Sequence, residues 1–239
     1  MIDHWLGGSH HFPVDVAAAG AFEAAYGPVA HEFRALRGFL RRVVLRATEQ
    51  GIDEFLVVGA GIPTQGNVHE VVPSARVLYI DIDEANVALG QQILADEPRA
   101  TYALGDATDL DSIDPTVLHA ALPGWGIRPV GVAFLGLAAF IDDEPLAAAF
   151  DRLAEATVPG SALAVDFDTE VLKEHPRALE LMGPAFRMRS PAAFTGLLGR
   201  WALTEEGVRP VARWGLPDEQ SPDEADPAAF YGGLAVNRR

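Results

Sequence analysis

The chain of 239 residues contains no cysteine and a single lysine, Lys173. Without cysteine it has no disulfide and no thiolate chemistry, which fits a reducing compartment, and a cytoplasmic location is expected. Basic residues number only 18 against 34 acids, for a net charge of −16. A surface of that sign repels a polyphosphate backbone, so nucleic acid is not expected as a partner. The lone lysine is remote in sequence from the glycine turn that follows the first strand, so no lysine is available there to capture a phosphate. Long apolar runs are also missing: none approaches the roughly 20 residues of a membrane span. The opening stretch "MIDHWLGGSHHF" has neither a basic region nor a long apolar one, and no signal peptide is expected. What remains is 49% hydrophobic, ample for a core, with a small molecule or a basic protein as the expected kind of partner.

Residues 14–26 and 30–50 read as two helices. In the second, Phe33, Leu36, Leu40, Val43, Val44 and Ala47 recur at three- and four-residue spacing, giving one apolar stripe. From Glu54 onward strands alternate with helices. Strands are expected at 54–58, 76–81, 100–104, 129–135 and 161–167, with helices from about Gly66 and at 84–95, 115–122, 144–156 and 170–181. Such alternation predicts a parallel sheet with right-handed crossovers. After Pro191 the pattern changes to a helix (191–199), an extended stretch (201–208), an acid- and proline-rich loop (213–227) and the apolar segment "FYGGLAV" (230–236). Two late strands joined by a loop predict an antiparallel closure of the sheet edge.

The stretch "FLVVGAGIPTQGN" (55–67) raises the question of a ligand. Phe55 to Val58 is apolar without alternation, as in a strand covered on both faces, and Gly59 and Gly61 then permit a tight turn. A strand, a glycine turn and a helix N-terminus is how α/β proteins approach nucleotides. Asp81 ends the second strand, 22 residues after Gly59, where an acid takes ribose hydroxyls. Asp106 follows the third strand and could accept from an exocyclic amine. Gly136 follows the fourth, where backbone can approach a ligand. Thr64 and Pro63 break the dinucleotide fingerprint. That loss, with the acid after the third strand, favours S-adenosylmethionine over a nicotinamide cofactor.

Seven stretches carry a more specific likeness: "DHWLGGSHHFPVD" (3–15), "LRGFLRRVV" (36–44), "FLVVGAGIPTQGNVHEVV" (55–72), "RVLYIDIDEANVA" (76–88), "RPVGVAFLGLAAFIDD" (128–143), "RSPAAF" (189–194) and "FYGGLAV" (230–236). In these the chain resembles the bacterial S-adenosyl methyltransferase family long catalogued as a domain of unknown function, within the class I methyltransferases. The resemblance implies a Rossmann-like α/β fold with a seven-stranded, mostly parallel sheet and a reversed last strand. It also implies a helical cap segment (1–50) that folds over the cofactor, and one compact cofactor-binding domain (51–239). S-adenosylmethionine would be the cofactor, S-adenosylhomocysteine the product, and a small molecule the methyl acceptor, at oxygen or nitrogen; a homodimer is open as the assembly. Gly59, Ala60 and Gly61 would pass the methionine part, Asp81 the ribose and Asp106 the adenine amine, with Ile82 and Ala107 lining the adenine pocket. Thr64 and Asn67 would either bond the cofactor or cap the helix that follows. Arg37 is the candidate partner of the methionine carboxylate, with a solvated helix arginine as the alternative.

The chain departs from that family near the expected acceptor. Val57 stands for an acid, Ala139 for a histidine, Asp166-Phe167 for Ser-His, and His11 and Leu36 for Asn. The remaining candidates for acid–base work are His10, His11 and Asp166, each with a plainer alternative: structural hydrogen bonding for the histidines, a solvated loop carboxylate for Asp166. No metal is expected, because the spacing of His4, His10 and His11 does not by itself provide a fixed three- or four-ligand set. Trp5, Phe12, Phe140 and Phe167 are expected in the wall of the acceptor pocket. Beside methyl transfer stand two other functions: a non-methylating biosynthetic enzyme on the same fold, and a cofactor-binding regulator.

Overall fold

The computed structural model describes residues 1–63, 65–217 and 228–238. Helices α1 (Ile2–Trp5), α2 (Pro13–Tyr26) and α3 (Ala30–Glu49) come first. Strands β1 (Glu54–Val58), β2 (Arg76–Asp81), β3 (Ala100–Leu104), β4 (Gly131–Phe134) and β5 (Ala162–Asp168) follow. They are linked by α4 (Val68–Val71), α5 (Glu84–Ile93), α6 (Pro115–Ala121) and α7 (Asp143–Ala156). The chain continues through α8 (Pro176–Met182), α9 (Pro191–Leu197), β6 (Trp201–Leu203), β7 (Arg209–Pro210) and β8 (Phe230–Asn237). The acid- and proline-rich stretch beyond residue 217 falls largely outside the described residues.

The strands are ordered β3-β2-β1-β4-β5-β8-β6, and β7 pairs with β8. β1 to β5 are parallel, whereas β8 runs antiparallel to both β5 and β6. The fold is thus the expected Rossmann-like one with a reversed last strand. The expected seven strands become eight because Arg209 and Pro210 pair briefly with Gly232 and Tyr231. A proline, having no N–H for the ladder, confines that strand to the sheet margin. The order reverses between β1 and β4, and it is outside the carboxyl ends of strands at such a switch that open α/β sheets take their ligands.

Strand residues alternate between two apolar layers. Leu56, Val58, Leu78, Ile80 and Phe134 face one layer with α7 and α9; Phe55, Val77, Tyr79 and Ala133 face the other with α3. Burial on both faces explains why β1 shows no polar alternation. The expected helix stripe is observed, with Phe39 as an added member: Phe39, Leu40, Val43, Val44 and Ala47 of α3 are all buried against the sheet. A third layer joins Trp5, Ala19 and Phe22 of the N-terminal helices to Leu172, Ala178 and Phe186. The helix expected over 170–181 is instead a 3-10 turn at Glu170–Glu174 followed by α8. Pro176 causes the break, since it supplies no N–H and drives His175 out of the helical region.

Glu54, at the start of β1, is fully buried. Its carboxylate accepts from the Gly124 N–H (2.8 Å) and pairs with Arg128, which also holds Asp53. Replacing Arg128 by Met leaves that buried charge without its counter-ion, and should destabilise the protein by roughly 3 kcal/mol in urea unfolding. Glu54→Gln should cost less. A native-like unfolding midpoint for Arg128→Met would show that the pair contributes nothing.

Candidate functional site

β1 ends at Val58, and the chain turns through Gly59, Ala60 and Gly61, with φ of +59° at both glycines. A Cβ on Gly59 would lie 2.4 Å from a Leu137 methyl, so the turn is packed as well as left-handed. Its shape is fixed from β2. The Ala60 N–H donates to the Ile80 carbonyl (2.9 Å) and the Gly61 N–H to Asp81 Oδ2 (2.8 Å). Asp81 Oδ1 accepts from the Asp83 N–H (2.9 Å) and from Asn86 Nδ2 (3.4 Å). The Tyr102 hydroxyl donates to the Gly61 carbonyl (2.5 Å). Asp81 therefore holds the glycine turn itself, a role in addition to the one its spacing suggests.

Above this turn lies a cavity of about 420 Å³. Its wall includes Gly59, Ala60, Gly61, Val57, Arg37 and Asn67, and also His11, Asp3 and Gly136. Arg37 is not a solvated helix arginine. Its guanidinium donates to Asn67 Oδ1 (3.2 Å) and forms no salt bridge among the described residues, and burial lowers its pKa. Asn67 is buried, and its Nδ2 has no hydrogen-bond partner among the described residues. A half-buried cation beside such a donor is a place for an anion with accepting oxygens.

Asp166 corrects an expectation. It is no solvated loop carboxylate but lies on β5 at 1% exposure. Its Oδ1 accepts from the Gly136 N–H (2.7 Å), its Oδ2 has no partner among the described residues, and burial raises its pKa to about 7. Two residues on, so on the same face of the strand, Asp168 is also raised, by burial and then by Asp166, with Arg189 opposing. Ala139 and Phe167, two of the other departures, are core residues, and Phe167 stacks on Phe194 at 4.4 Å. Neither lines the apolar chamber described below, and Phe12 is exposed, so of the four expected wall aromatics only Trp5 and Phe140 lie there.

The N-terminal segment is organised by Asp3. Its Oδ2 accepts from the His10 backbone N–H (2.9 Å) and lies 2.8 Å from His11 Nδ1. His10 is exposed; His11 is half-buried, in the wall of the large cavity. With Nδ1 engaged by Asp3, His11 keeps Nε2 as its remaining basic nitrogen. No group of three or more His, Asp or Glu among the described residues is arranged to hold a metal.

The adenine-side residues stand apart from the cavity wall. Ile82 is exposed, Ala107 packs on the core, and Asp106 Oδ1 accepts from both the N–H and the hydroxyl of Thr108 (2.8 Å each). Thr64 lies outside the described residues. A smaller chamber of about 170 Å³ adjoins the large cavity and shares Ile2, Phe33, Leu36 and Gly136 with it. Three residues of this region escape a reading of the sequence: Asp3, Asp168 and Arg189. Arg189 donates to the carbonyls of Ala138 (2.5 Å) and Ile141 (2.6 Å) and to Asp143 (2.8 Å), tying the loop after β4 to the end of β5. The two-residue period of "VDFD" was the available signal for Asp168; Asp3 and Arg189 open two of the stretches that carry the family likeness, but no local pattern gives their roles.

Asp166 should leave a pH signature. Its folded-state pKa is above that of the unfolded chain, so the native state binds the extra proton. The contribution is favourable at low pH and is lost as pH rises through about 7. Relative to the native protein, Asp166→Asn should gain on the order of 2 kcal/mol between pH 5 and pH 8 in urea titrations. A stability difference that does not change with pH would contradict the buried, proton-holding carboxyl.

Comparison with known proteins agrees with this geometry. The chain matches the S-adenosyl methyltransferase family over residues 1–238. It is similar to a DUF574-family protein of Streptomyces avermitilis MA-4680 at 28% identity and a TM-score of 0.82, covering 99% of this chain and 95% of that one. It is also similar to a candidate methyltransferase of Thermobifida fusca YX at 25% identity and a TM-score of 0.87, covering 100% and 93%. Magnesium protoporphyrin IX methyltransferase of Synechocystis PCC 6803 with bound SAH shares the fold at 15% identity and a TM-score of 0.57, covering 95% of each chain. No curated protein matches the chain. With the glycine turn, the acid after β2 and the sheet order in place, the chain belongs to the S-adenosyl methyltransferase family, is Rossmann-like in fold, and takes S-adenosylmethionine as its cofactor.

Proposed function

We propose that the protein methylates a small molecule at oxygen or nitrogen, with the acceptor held between the N-terminal segment, the loop after β4 and the end of β5. The observation that carries this is Arg37: a half-buried guanidinium without a salt bridge among the described residues, beside Asn67 Nδ2, which has no partner among them, in the wall of the cavity above the glycine turn. These groups fit the carboxylate of a methionine moiety. Gly59, Ala60 and Gly61 leave room for its chain, Asp81 has the place to serve the ribose, and Ile82, Asp106 and Ala107 lie at the strand ends on the adenine side.

When bound, S-adenosylmethionine supplies a methyl group on a sulfonium; the acceptor's lone pair takes the methyl, the C–S pair returns to sulfur, and S-adenosylhomocysteine remains. The chain's own part is positioning and proton handling. Asp3 holds His11 by Nδ1, which directs Nε2 to receive the proton that the acceptor loses. His10 contributes its backbone to the same carboxylate, and Asp166 braces Gly136, at the boundary of the two cavities. One observation favours a non-methylating enzyme instead: Ala139 and Phe167, at positions where the family resemblance implies histidines, are apolar and buried in the core.

Arg37→Met should weaken S-adenosylhomocysteine binding by about 1.5–3 kcal/mol, the range for a hydrogen bond to a charged group, and leave methylthioadenosine, which lacks the carboxylate, unaffected. Equal losses for both ligands in calorimetry would remove Arg37 from the carboxylate. Asp81→Ala should weaken both, because it removes the ribose partner and loosens the glycine turn. In assays with labelled S-adenosylmethionine and a metabolite extract, His11→Asn should lower methyl transfer by roughly 10²–10⁴. Asp3→Asn should act in the same direction with a shifted pH profile. Full transfer by His11→Asn would make catalysis here positional only, and cofactor binding without any transfer by the native protein would favour the non-methylating enzyme.

A further inference from the structure

The smaller chamber has a chemistry of its own. Its wall includes Trp5, Phe22, Tyr26, Phe33, Phe140 and Phe186. Several of these rings are already ordered against one another: Trp5 stacks on Phe33 (4.8 Å, 16°), Phe22 meets Trp5 edge-on (5.8 Å) and Phe140 meets Phe186 edge-on (5.7 Å). Rings placed this way offer both faces and edges to a further ring, the arrangement aromatic groups prefer. The volume, about 170 Å³, is close to that of an apolar cavity of about 150 Å³ able to enclose benzene. One ring fits that volume.

Polar groups in the wall are few. Trp5 is 4% exposed, and its indole N–H has no hydrogen-bond partner among the described residues. Asp168 provides the sole carboxyl among the described lining residues, and no lysine, arginine or histidine side chain lines the chamber. The Thr169 hydroxyl is already committed to the Ala228 carbonyl (2.8 Å). The Met1 ammonium, also in the wall, is paired with Asp15 (3.1 Å), so an anionic ligand would find no free counter-charge. A cationic one would require Asp168 to ionise against its burial and against Asp166. A neutral hydroxyl suits such a wall, because it can accept from an indole N–H or donate to a carboxyl without bringing a charge of its own.

We propose that this chamber is the acceptor-binding site and that its ligand is a neutral molecule with one aromatic ring and a hydroxyl group, an inference that rests on the methyltransferase function proposed above. The chamber meets the large cavity at Phe33, Leu36 and Gly136, so a ring seated in it stands next to the space assigned to the cofactor.

The test is calorimetry on the full chain, first with S-adenosylhomocysteine and then, at saturation, with phenol, benzoate, benzylammonium and 2-naphthol. Phenol should bind at least tenfold more tightly than the other three. Ala229→Phe, which fills the chamber, should lose phenol binding and keep S-adenosylhomocysteine affinity within about twofold. Because that variant can fail to fold, a second readout uses the native protein. Phenol should shift the Trp5 indole N–H resonance, identified by its disappearance in Trp5→Phe. Should S-adenosylhomocysteine bind and phenol not, the chamber's assignment falls while the cofactor reading stands. If benzoate, benzylammonium or 2-naphthol binds as well as phenol, or the Trp5 resonance stays put, the proposed ligand class is wrong. If S-adenosylhomocysteine itself does not bind, the underlying function falls with it.

Discussion

β1 is covered on both faces and hydrogen-bonded along both edges, and it must release its chain into a space already bounded by Leu137 and β2. Only a residue without a Cβ can make the first step, because a methyl at position 59 would sit 2.4 Å from Leu137. The left-handed turn that results points backbone groups away from the strand and leaves a cavity above them. Asp81 fixes that turn through the Gly61 N–H, and the Ile80 carbonyl fixes it through Ala60. The turn is therefore held by the same hydrogen bonds that end two strands.

The roof of the site is less deeply rooted. α1 and α2 reach the body through Trp5, Ala19, Phe22 and their contacts with Leu172, Ala178 and Phe186, a small apolar layer beside two extensive ones. Within the roof a single buried carboxylate, Asp3, gathers the His10 backbone and the His11 ring. One acid thus sets both the path of the segment and the tautomer of the imidazole that faces the cavity. Arg189 does a comparable task on the opposite wall, using three groups of the loop after β4 to hold that loop against β5.

Charge is distributed against the trend of the whole molecule. The chain carries a net charge of −16, yet the wall of the large cavity holds a half-buried cation, Arg37, with no salt bridge among the described residues. Two acids lie at the other end of the site, and both are pushed toward their neutral forms, Asp166 by burial and Asp168 by burial and its neighbour. One end of the space presents a cation and the other carboxyls held toward their neutral forms. That polarity suits a ligand pair in which a charged amino-acid moiety and a neutral acceptor meet in the middle, near Gly136.

The positions and type of the strands were legible because burial on both faces removes polar alternation and a glycine follows β1, β3 and, two residues on, β4. β1, β2 and β3 occupy the residues that periodicity alone assigns, and β8 takes the apolar segment at 230–236. Helix 170–181 was misread because the proline at 176 was given less weight than the apolar spacing around it. The cofactor turn was legible for the same local reason, since glycine spacing and a strand-end acid are properties of consecutive residues. Which of those residues share a cavity was not. Arg37 and Asn67 are 30 positions apart and meet only because α3 lies across the start of α4. Asp166 reads as a loop acid from its neighbours and becomes a buried proton carrier only when β5 is flanked by β4 and β8. Asp3 and His11 touch through the fold of a segment with no periodicity to follow. Sequence by itself determined the alternating elements, the turn and the sign of the surface, because these depend on neighbours along the chain. Only the tertiary structure decided which side chains face one another across the cavities and which carboxyls are kept from water, because desolvation and pairing depend on residues that are distant in sequence and adjacent in space.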